Sequence, residues 1–345
     1  MKNKKTAIFL LVAVFILVPI GLTVLGYKMY VGTSKKIDQA VVYDKHYVMI
    51  TGNEDSSLLD NVYESAREEG RKRGIYVERF GSGLAVEYDR DQLLKMAVQA
   101  SVDGIIVTGD EQEETIARIN DAVDHDIPVV TVFSDCSGSR RQCFVGSNYY
   151  HVGEEYGKQI QKILKVNPKS YTQKVLVLME ENPKDASGNL ILLGMREKLE
   201  NELGATRAVT IETTQVDNSG SFSAEEYIRD LFLDEAQVPD ILICLSEVYT
   251  QCAYQAAVDY NKVGDVHLLG YYCSDQVLDA LSKDIVKATI TPDAQAMGRL
   301  CVQALDEYER TGYTNGYEVV DLQLVTAADA RKILEEDKKE RISEQ

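Results

Sequence analysis

Residues able to do chemistry are present in this chain of 345 residues, but few stand at the spacing that chemistry requires. The four histidines, His46, His125, His151 and His267, are scattered with no HxxxH pair, so zinc ligation has no frame. Gly81-Ser82-Gly83 opens like a dinucleotide-binding turn, yet Val86 stands where the third glycine belongs, so a simple turn is expected. Asp217-Asn218-Ser219-Gly220, followed by Glu225 and Glu226, lacks the alternating oxygen register of a calcium loop and reads as a turn and a helix start. No Ser or Cys lies in a nucleophile-elbow sequence. The expectation is therefore a protein that is not an enzyme, with no catalytic residue, no metal and no cofactor.

Cys136 and Cys143 flank the polar loop from Ser137 to Gln142, between two strand-like runs. Export from the cytoplasm would favour a disulfide between them, and a reducing compartment would leave two thiols. Cys244 and Cys273 close neighbouring strand-like runs and could also approach each other, whereas Cys252 and Cys301 read as helix-packing residues.

The elements that must position any site are legible in the hydropathy pattern. With 37 Lys+Arg against 55 Asp+Glu the net charge is -18, and the chain is 45% apolar and 27% charged. This is a globular composition large enough for two domains. The acidic balance argues against nucleic acid, whose binding rests on clustered Lys and Arg that displace counterions. One segment departs from the average. Residues 6–27 (TAIFLLVAVFILVPIGLTVLGY) carry no charge and, as a helix, would span a bilayer core. The run is too long for a signal-peptide core, and Lys2, Lys4 and Lys5 precede it, so an uncleaved single-pass anchor with its N-terminus inside is expected. The rest of the chain would then be extracytoplasmic, attached to the cell membrane.

Beyond a polar linker, strand-like runs at 47–51, 75–80, 104–108, 128–133, 175–179, 208–213, 240–245, 267–271 and 287–290 alternate with amphipathic stretches. One such stretch carries Leu58, Leu59, Val62 and Ala66 and closes at Gly74 after Arg71, Lys72 and Arg73. Strict alternation means right-handed crossovers and parallel sheets covered on both faces. The pattern occurs twice: 102–109 and 127–133 are spaced much as 238–245 and 266–271 are. Two similar α/β lobes follow, with the cleft between them as the default ligand site. The tail from Ala328 is highly charged and reads as a solvated terminal helix.

In order and spacing, several local motifs resemble the type I periplasmic binding proteins of the ribose-binding kind, whose fold is shared by LacI-type effector domains. They are Val102-Asp103-Gly104-Ile105-Ile106-Val107, Asp126-Ile127-Pro128-Val129-Val130, Phe144-Val145-Gly146-Ser147-Asn148 leading to Gly153, Pro239-Asp240-Ile241-Leu242-Ile243, Leu268-Leu269-Gly270-Tyr271, and Ala288-Thr289-Ile290-Thr291-Pro292-Asp293 with Met297-Gly298. The resemblance covers about 47–326. It implies two Rossmann-like lobes joined by a three-crossing hinge near 147–150, 291–293 and 312–317, closing around ligand. The implied organisation is a stub at 1–5, an anchor at 6–27, a linker at 28–45, lobe 1 at 46–148 plus about 293–314, lobe 2 at 149–291 plus about 315–327, and a charged tail helix at 328–345.

The family's sugar-binding set is mostly replaced. Its aromatic turn after the first strand falls on Ser56-Ser57-Leu58-Leu59, its acidic residue after the fourth strand on Phe133, and its Gly-Phe-Asp aspartate on Tyr272. A cleft in this position would use Asn53, Asp55, Ser56, Asp135, Asn189, Glu247, Asp275 and Asp293, with Phe133, Tyr249 and Tyr272 as stacking surfaces. The expected function is a membrane-anchored solute-binding protein that closes on a small polar, carbohydrate-like ligand, for uptake by an ABC permease or for presentation to a sensor histidine kinase. A degenerate fold retained as a protein-interaction module is the alternative. A LacI-type regulator is disfavoured because the apolar run occupies the place of a helix-turn-helix.

Overall fold

The computed structural model describes residues 42–51, 56–166, 171–180, 187–203, 209–216 and 221–343. The expected anchor at 6–27, and Asn53 and Asp55, lie outside them. Among the described residues no helix is long and apolar enough to cross a membrane. The chain divides at Asp44, and the folded unit below is Lys45–Gln345.

Short β-branched runs build two sheets. Lobe 1 contains β1 (Lys45–Ile50), β2 (Ile75–Arg79), β3 (Gly104–Val107), β4 (Val129–Val132), β5 (Cys143–Ser147) and β11 (Tyr317–Val320). Lobe 2 contains β6 (Gln173–Glu180), β7 (Val209–Val216), β8 (Ile241–Cys244), β9 (His267–Tyr271), β10 (Val286–Pro292) and β12 (Leu322–Thr326). The sheet orders are β11-β5-β4-β3-β1-β2 and β12-β10-β9-β8-β6-β7, the same pattern twice. All pairings are parallel except β12 against β10. In both lobes the order reverses beside the first strand, and the carboxyl ends of the strands open towards the cleft. Every residue of β3, β4 and β8 is buried, as strands covered by helices on both faces must be.

The helices are α1 (Ser57–Arg73), α2 (Arg90–Gln99), α3 (Glu113–Asp124), α4 (Tyr149–Val166), α5 (Ser187–Leu203), α6 (Ser221–Leu233), α7 (Glu247–Asp259), α8 (Asp275–Ser282), α9 (Ala294–Thr311) and α10 (Ala327–Ser343). In α1, Leu58, Leu59, Val62 and Ala66 form the buried stripe, and Gly74 ends the helix at φ 72° with its N–H on the Gly70 carbonyl. α9 packs on α1, and α4 packs on α5. Both contacts need glycine: a Cβ on Gly298 would lie 2.1 Å from the Val62 carbonyl oxygen, and one on Gly153 2.0 Å from that of Ile191.

The chain passes between lobes at Asn148, at Asp293 and at Asp321, and the Asp293 N–H donates to the Asp321 carbonyl at 3.0 Å. The third passage therefore lies later than the expected 312–317, and 317–320 belongs to lobe 1. The physical reason is that Tyr317 pairs with Phe144 in parallel register, its ring 5.3 Å from that of Phe144, and its hydroxyl reaches the Ser147 carbonyl at 3.1 Å. The segment 317–326 is thus two strands in different sheets, divided at Asp321. The charged tail is also not merely solvated, since Ala330 of α10 is buried in the lobe 2 core and Leu334 packs against it.

All six cysteines are free thiols, so of the two states the sequence leaves open for Cys136 and Cys143 the structure has the unbridged one. Cys136 packs in the outer core of lobe 1 with Leu94 and Ile119, whereas Cys143 lies in the inner core with Val145 and Cys301. The two sulfurs are on opposite faces of the sheet. Burial pushes the Cys143 thiol up to about 12. Cys244 and Cys273 are likewise unbridged.

Candidate functional site

The cleft is built from turns that follow the strands. After β1, the first turn of α1 presents Ser57 and, one turn on, Asn61. After β8, Ser246 caps α7 by accepting the Tyr249 N–H at 3.2 Å, which sets Glu247 at the first helical position. After β9, Tyr272 takes a left-handed backbone at φ 63°, and after β4 Phe133 does the same at φ 66°. These two positions are equivalent in the duplicated lobes. Each donates its N–H to the next strand, Tyr272 to Ile290 at 2.8 Å and Phe133 to Val145 at 3.0 Å, and each carbonyl accepts a side-chain hydroxyl, from Thr289 at 2.6 Å and from Tyr149 at 2.5 Å.

These turns meet across the cleft. Ser57 Oγ donates to Glu247 Oε1 at 2.9 Å, Asn61 Nδ2 donates to the Tyr272 hydroxyl at 2.6 Å, and that hydroxyl donates to the Ser57 carbonyl at 3.2 Å. Gln251 Nε2 supports Glu247 Oε1 at 3.2 Å and also reaches Ser274 Oγ at 3.1 Å. Glu247 Oε2 is shielded from solvent and makes no hydrogen bond. Burial raises the Tyr272 pKa, and the Glu247 charge adds to this against the opposing hydrogen bond from Asn61. Burial and the charges of Asp275 and Glu247 push the Cys273 thiol up to about 11. Beneath the cleft the Phe133 ring lies 6.4 Å from that of Tyr271, and one hydrophobic cluster runs through both lobes here.

In lobe 1 a second polar group lies beyond β3. Arg90 is paired with Asp110 and donates to the Thr108 carbonyl and Thr115 Oγ1, each at 3.2 Å. Burial would raise the Asp110 pKa, but the Gln112 N–H and Arg90 hold it below its ordinary value. Among the described residues no group of His, Cys, Asp and Glu is arranged to hold a metal ion. A separate concavity of about 370 Å³, lined mainly by apolar groups with Gln159, Lys162 and Lys287, lies at the opposite end of the lobe 2 strands.

With two duplicated parallel sheets, three passages and converging strand-end turns established, the match to a known family becomes decisive: the periplasmic binding protein domain corresponds to residues 46–312. The chain belongs to the periplasmic binding protein family. Among solved structures, this periplasmic binding protein is similar to GanP, a glucose-galactose binding protein from Geobacillus stearothermophilus, with TM-score 0.70 and 20% identity over 83% of this chain and 98% of that one. AraP, an arabinose binding protein from the same organism, gives 0.68 and 19% over 84% and 99%. A XylFII-LytSN complex gives 0.67 and 21% over 83% and 98%. At these identities the likeness is one of fold. No curated protein matches the chain significantly.

The structure sorts the residues expected from the family pattern. Glu247 and Tyr272 come together at the cleft, with Phe133 beside its floor and Ser56 at the N-cap position of α1, next to Ser57, its side chain making no capping bond. Tyr249 is not a stacking surface: it is 3% exposed in the lobe 2 core and its hydroxyl bonds the Val216 carbonyl at 3.2 Å. The helical period places it on the sheet-facing side of α7, two positions from Glu247. Asp135 is held within its own loop by Arg141, at 2.5 and 2.6 Å, and by Thr131 Oγ1 and the Cys136 N–H, each at 2.7 Å. Asp293 caps α9 through the Ala296 N–H at 2.9 Å and marks the hinge. Asn189 and Asp275 are exposed on the first turns of α5 and α8. Ser57, Asn61 and Gln251 lie outside the set that the family pattern singles out. The available signal was the i, i+4 spacing of Ser57 and Asn61 at a helix start directly after a strand.

Proposed function

We propose that this periplasmic binding protein closes its lobes on a small polar ligand of carbohydrate class, held between Ser57 and Asn61 of lobe 1 and Glu247 and Tyr272 of lobe 2. The observation that carries the proposal is the direct meeting of these side chains at 2.6–2.9 Å, which makes closure and binding depend on the same groups. Sugar is the favoured class because structural neighbours include proteins described as glucose-galactose and arabinose binders. Delivery to an ABC permease and presentation to a sensor kinase are both routes for the output, and the XylFII-LytSN assembly of a neighbour supports the second. The uncharged stretch at 6–27 would anchor the lobes on the outer face of the membrane. Protease added outside intact cells should then digest the lobes, while the stub at 1–5 stays protected.

Calorimetry and thermal-shift measurements on the full chain test binding against D-glucose, D-galactose, L-arabinose and D-xylose. At least one should bind and raise the midpoint, since a ligand that prefers the folded state stabilises it by mass action. Silence across the panel would favour the interaction-module reading. That reading has its own support in Asp135, whose carboxylate is consumed by Arg141, and in a cleft whose polar groups bond one another.

A further inference from the structure

We infer that Glu247 makes the cleft selective by charge, admitting neutral or ammonium-bearing polyols and rejecting anionic sugars such as uronates and sugar phosphates. The inference rests on the proposed cleft reading and specifies the ligand class within it. Three observations point the same way. First, Glu247 faces a lobe 1 donor: Ser57 Oγ donates to it and Asn61 Nδ2 donates to the Tyr272 oxygen, while the one bond running back, from the Tyr272 hydroxyl, goes to the Ser57 carbonyl and not to a side chain. A ligand entering between them replaces the lobe 1 donors towards Glu247 and must itself donate. Second, Glu247 Oε2 is buried with no hydrogen bond, and a carboxylate oxygen accepts only. A hydroxyl or ammonium group satisfies it, whereas a ligand carboxylate or phosphate would set like charges together at an oxygen already shielded from solvent. Third, the arginines at the strand ends of lobe 1 are already committed: Arg79 to Asp60, Arg90 to Asp110, and Arg141 to Asp135. None is free to neutralise an incoming anion. Tyr272, raised in pKa by burial, stays uncharged near neutral pH and offers no compensating charge.

Calorimetric titration of the full chain with D-galactose, D-galactosamine and D-galacturonate, and with the matching glucose series, separates the outcomes. The neutral or amino sugar of at least one series should bind at least ~10-fold more tightly than its uronate, because like charges brought together cost more than the 1.4 kcal/mol that a factor of ten represents. In Glu247→Gln, which keeps shape and removes charge, the same ratio should fall to within about 3-fold, under 1 kcal/mol. A uronate that binds the wild-type chain as tightly as its neutral partner overturns the inference while leaving a sugar cleft intact, and so does an unchanged ratio in Glu247→Gln. If no sugar of either series binds, the cleft reading itself falls and takes the inference with it. The wild-type comparison stands alone should the variant fail to fold.

Discussion

A left-handed backbone costs a bulky side chain on the order of 1–3 kcal/mol, yet Phe133 and Tyr272 both adopt it, at equivalent turns of the two lobes. The geometry belongs to the turn, which needs its N–H on the next strand and its carbonyl on a hydroxyl. The ring is what differs from the acidic residues the family pattern carries. Asp135 illustrates the opposite case, a carboxylate near the cleft whose bonds are all local. Asp135→Ala should therefore act on stability, leaving Arg141 half-buried without its partner and lowering unfolding free energy by about 2–4 kcal/mol in urea titration. Glu69 makes a pH-dependent contribution of known sign. Burial would raise its pKa, but bonds from Gln303 at 3.0 Å and Arg73 at 2.8 Å, with Lys72 nearby, hold it below 4.5. A carboxylate lowered on folding stabilises above its unfolded pKa and loses that contribution as pH falls through the folded value. Urea midpoints measured at pH 7 and pH 3.5 should fall more for the wild-type chain than for Glu69→Gln. Equal falls would show that the clamp between α1 and α9 is not electrostatic.

At the scale of elements, helix contacts test the packing directly. A methyl group at Gly298 would meet the Val62 carbonyl oxygen at 2.1 Å, and backbone cannot yield as a flexible side chain does. Gly298→Ala should thus destabilise by about 2–4 kcal/mol through separation of α9 from α1. Gly312→Ala meets no atom within 4 Å but sits at φ 73°, and should cost only ~1 kcal/mol. Chemical denaturation of the two variants checks both the size and the order. The same elements show where sequence suffices. Continuous β-branched runs such as Gly104–Val107 could only be buried strands, and their duplication fixed two lobes. The stretch 317–326 was opaque because Asp321 separates two strands that pair with partners far apart in sequence, and hydropathy carries no record of which sheet a strand joins. Site residues failed for a related reason. Tyr249 and Glu247 are two positions apart, and composition does not say which faces the core. Ser57 and Asn61 look like ordinary helix-start polar residues until the second lobe is placed opposite them.

At the scale of the molecule, the two lobes bond one another directly through the protein's own side chains. Each bond from lobe to lobe contributes about 0.5–1.5 kcal/mol, and the Ser57–Glu247, Asn61–Tyr272 and Tyr272–Ser57 contacts together contribute about 1.5–4.5 kcal/mol to the closed form. A ligand shifts the balance only by what it gives to closed over open beyond these bonds. The double variant Ser57→Ala, Tyr272→Phe removes the hydroxyls that donate across the cleft while leaving the Phe133–Tyr271 contact below it. Loss of ~1–3 kcal/mol would change the closed-to-open ratio by roughly 5-fold to 150-fold, enough to populate the open form. Small-angle scattering should then give a larger radius of gyration for the double variant than for the wild-type chain, with saturating ligand narrowing the gap. An unchanged radius would place the closing force in the hydrophobic cluster shared by the lobes, and the cleft bonds would then govern selectivity alone.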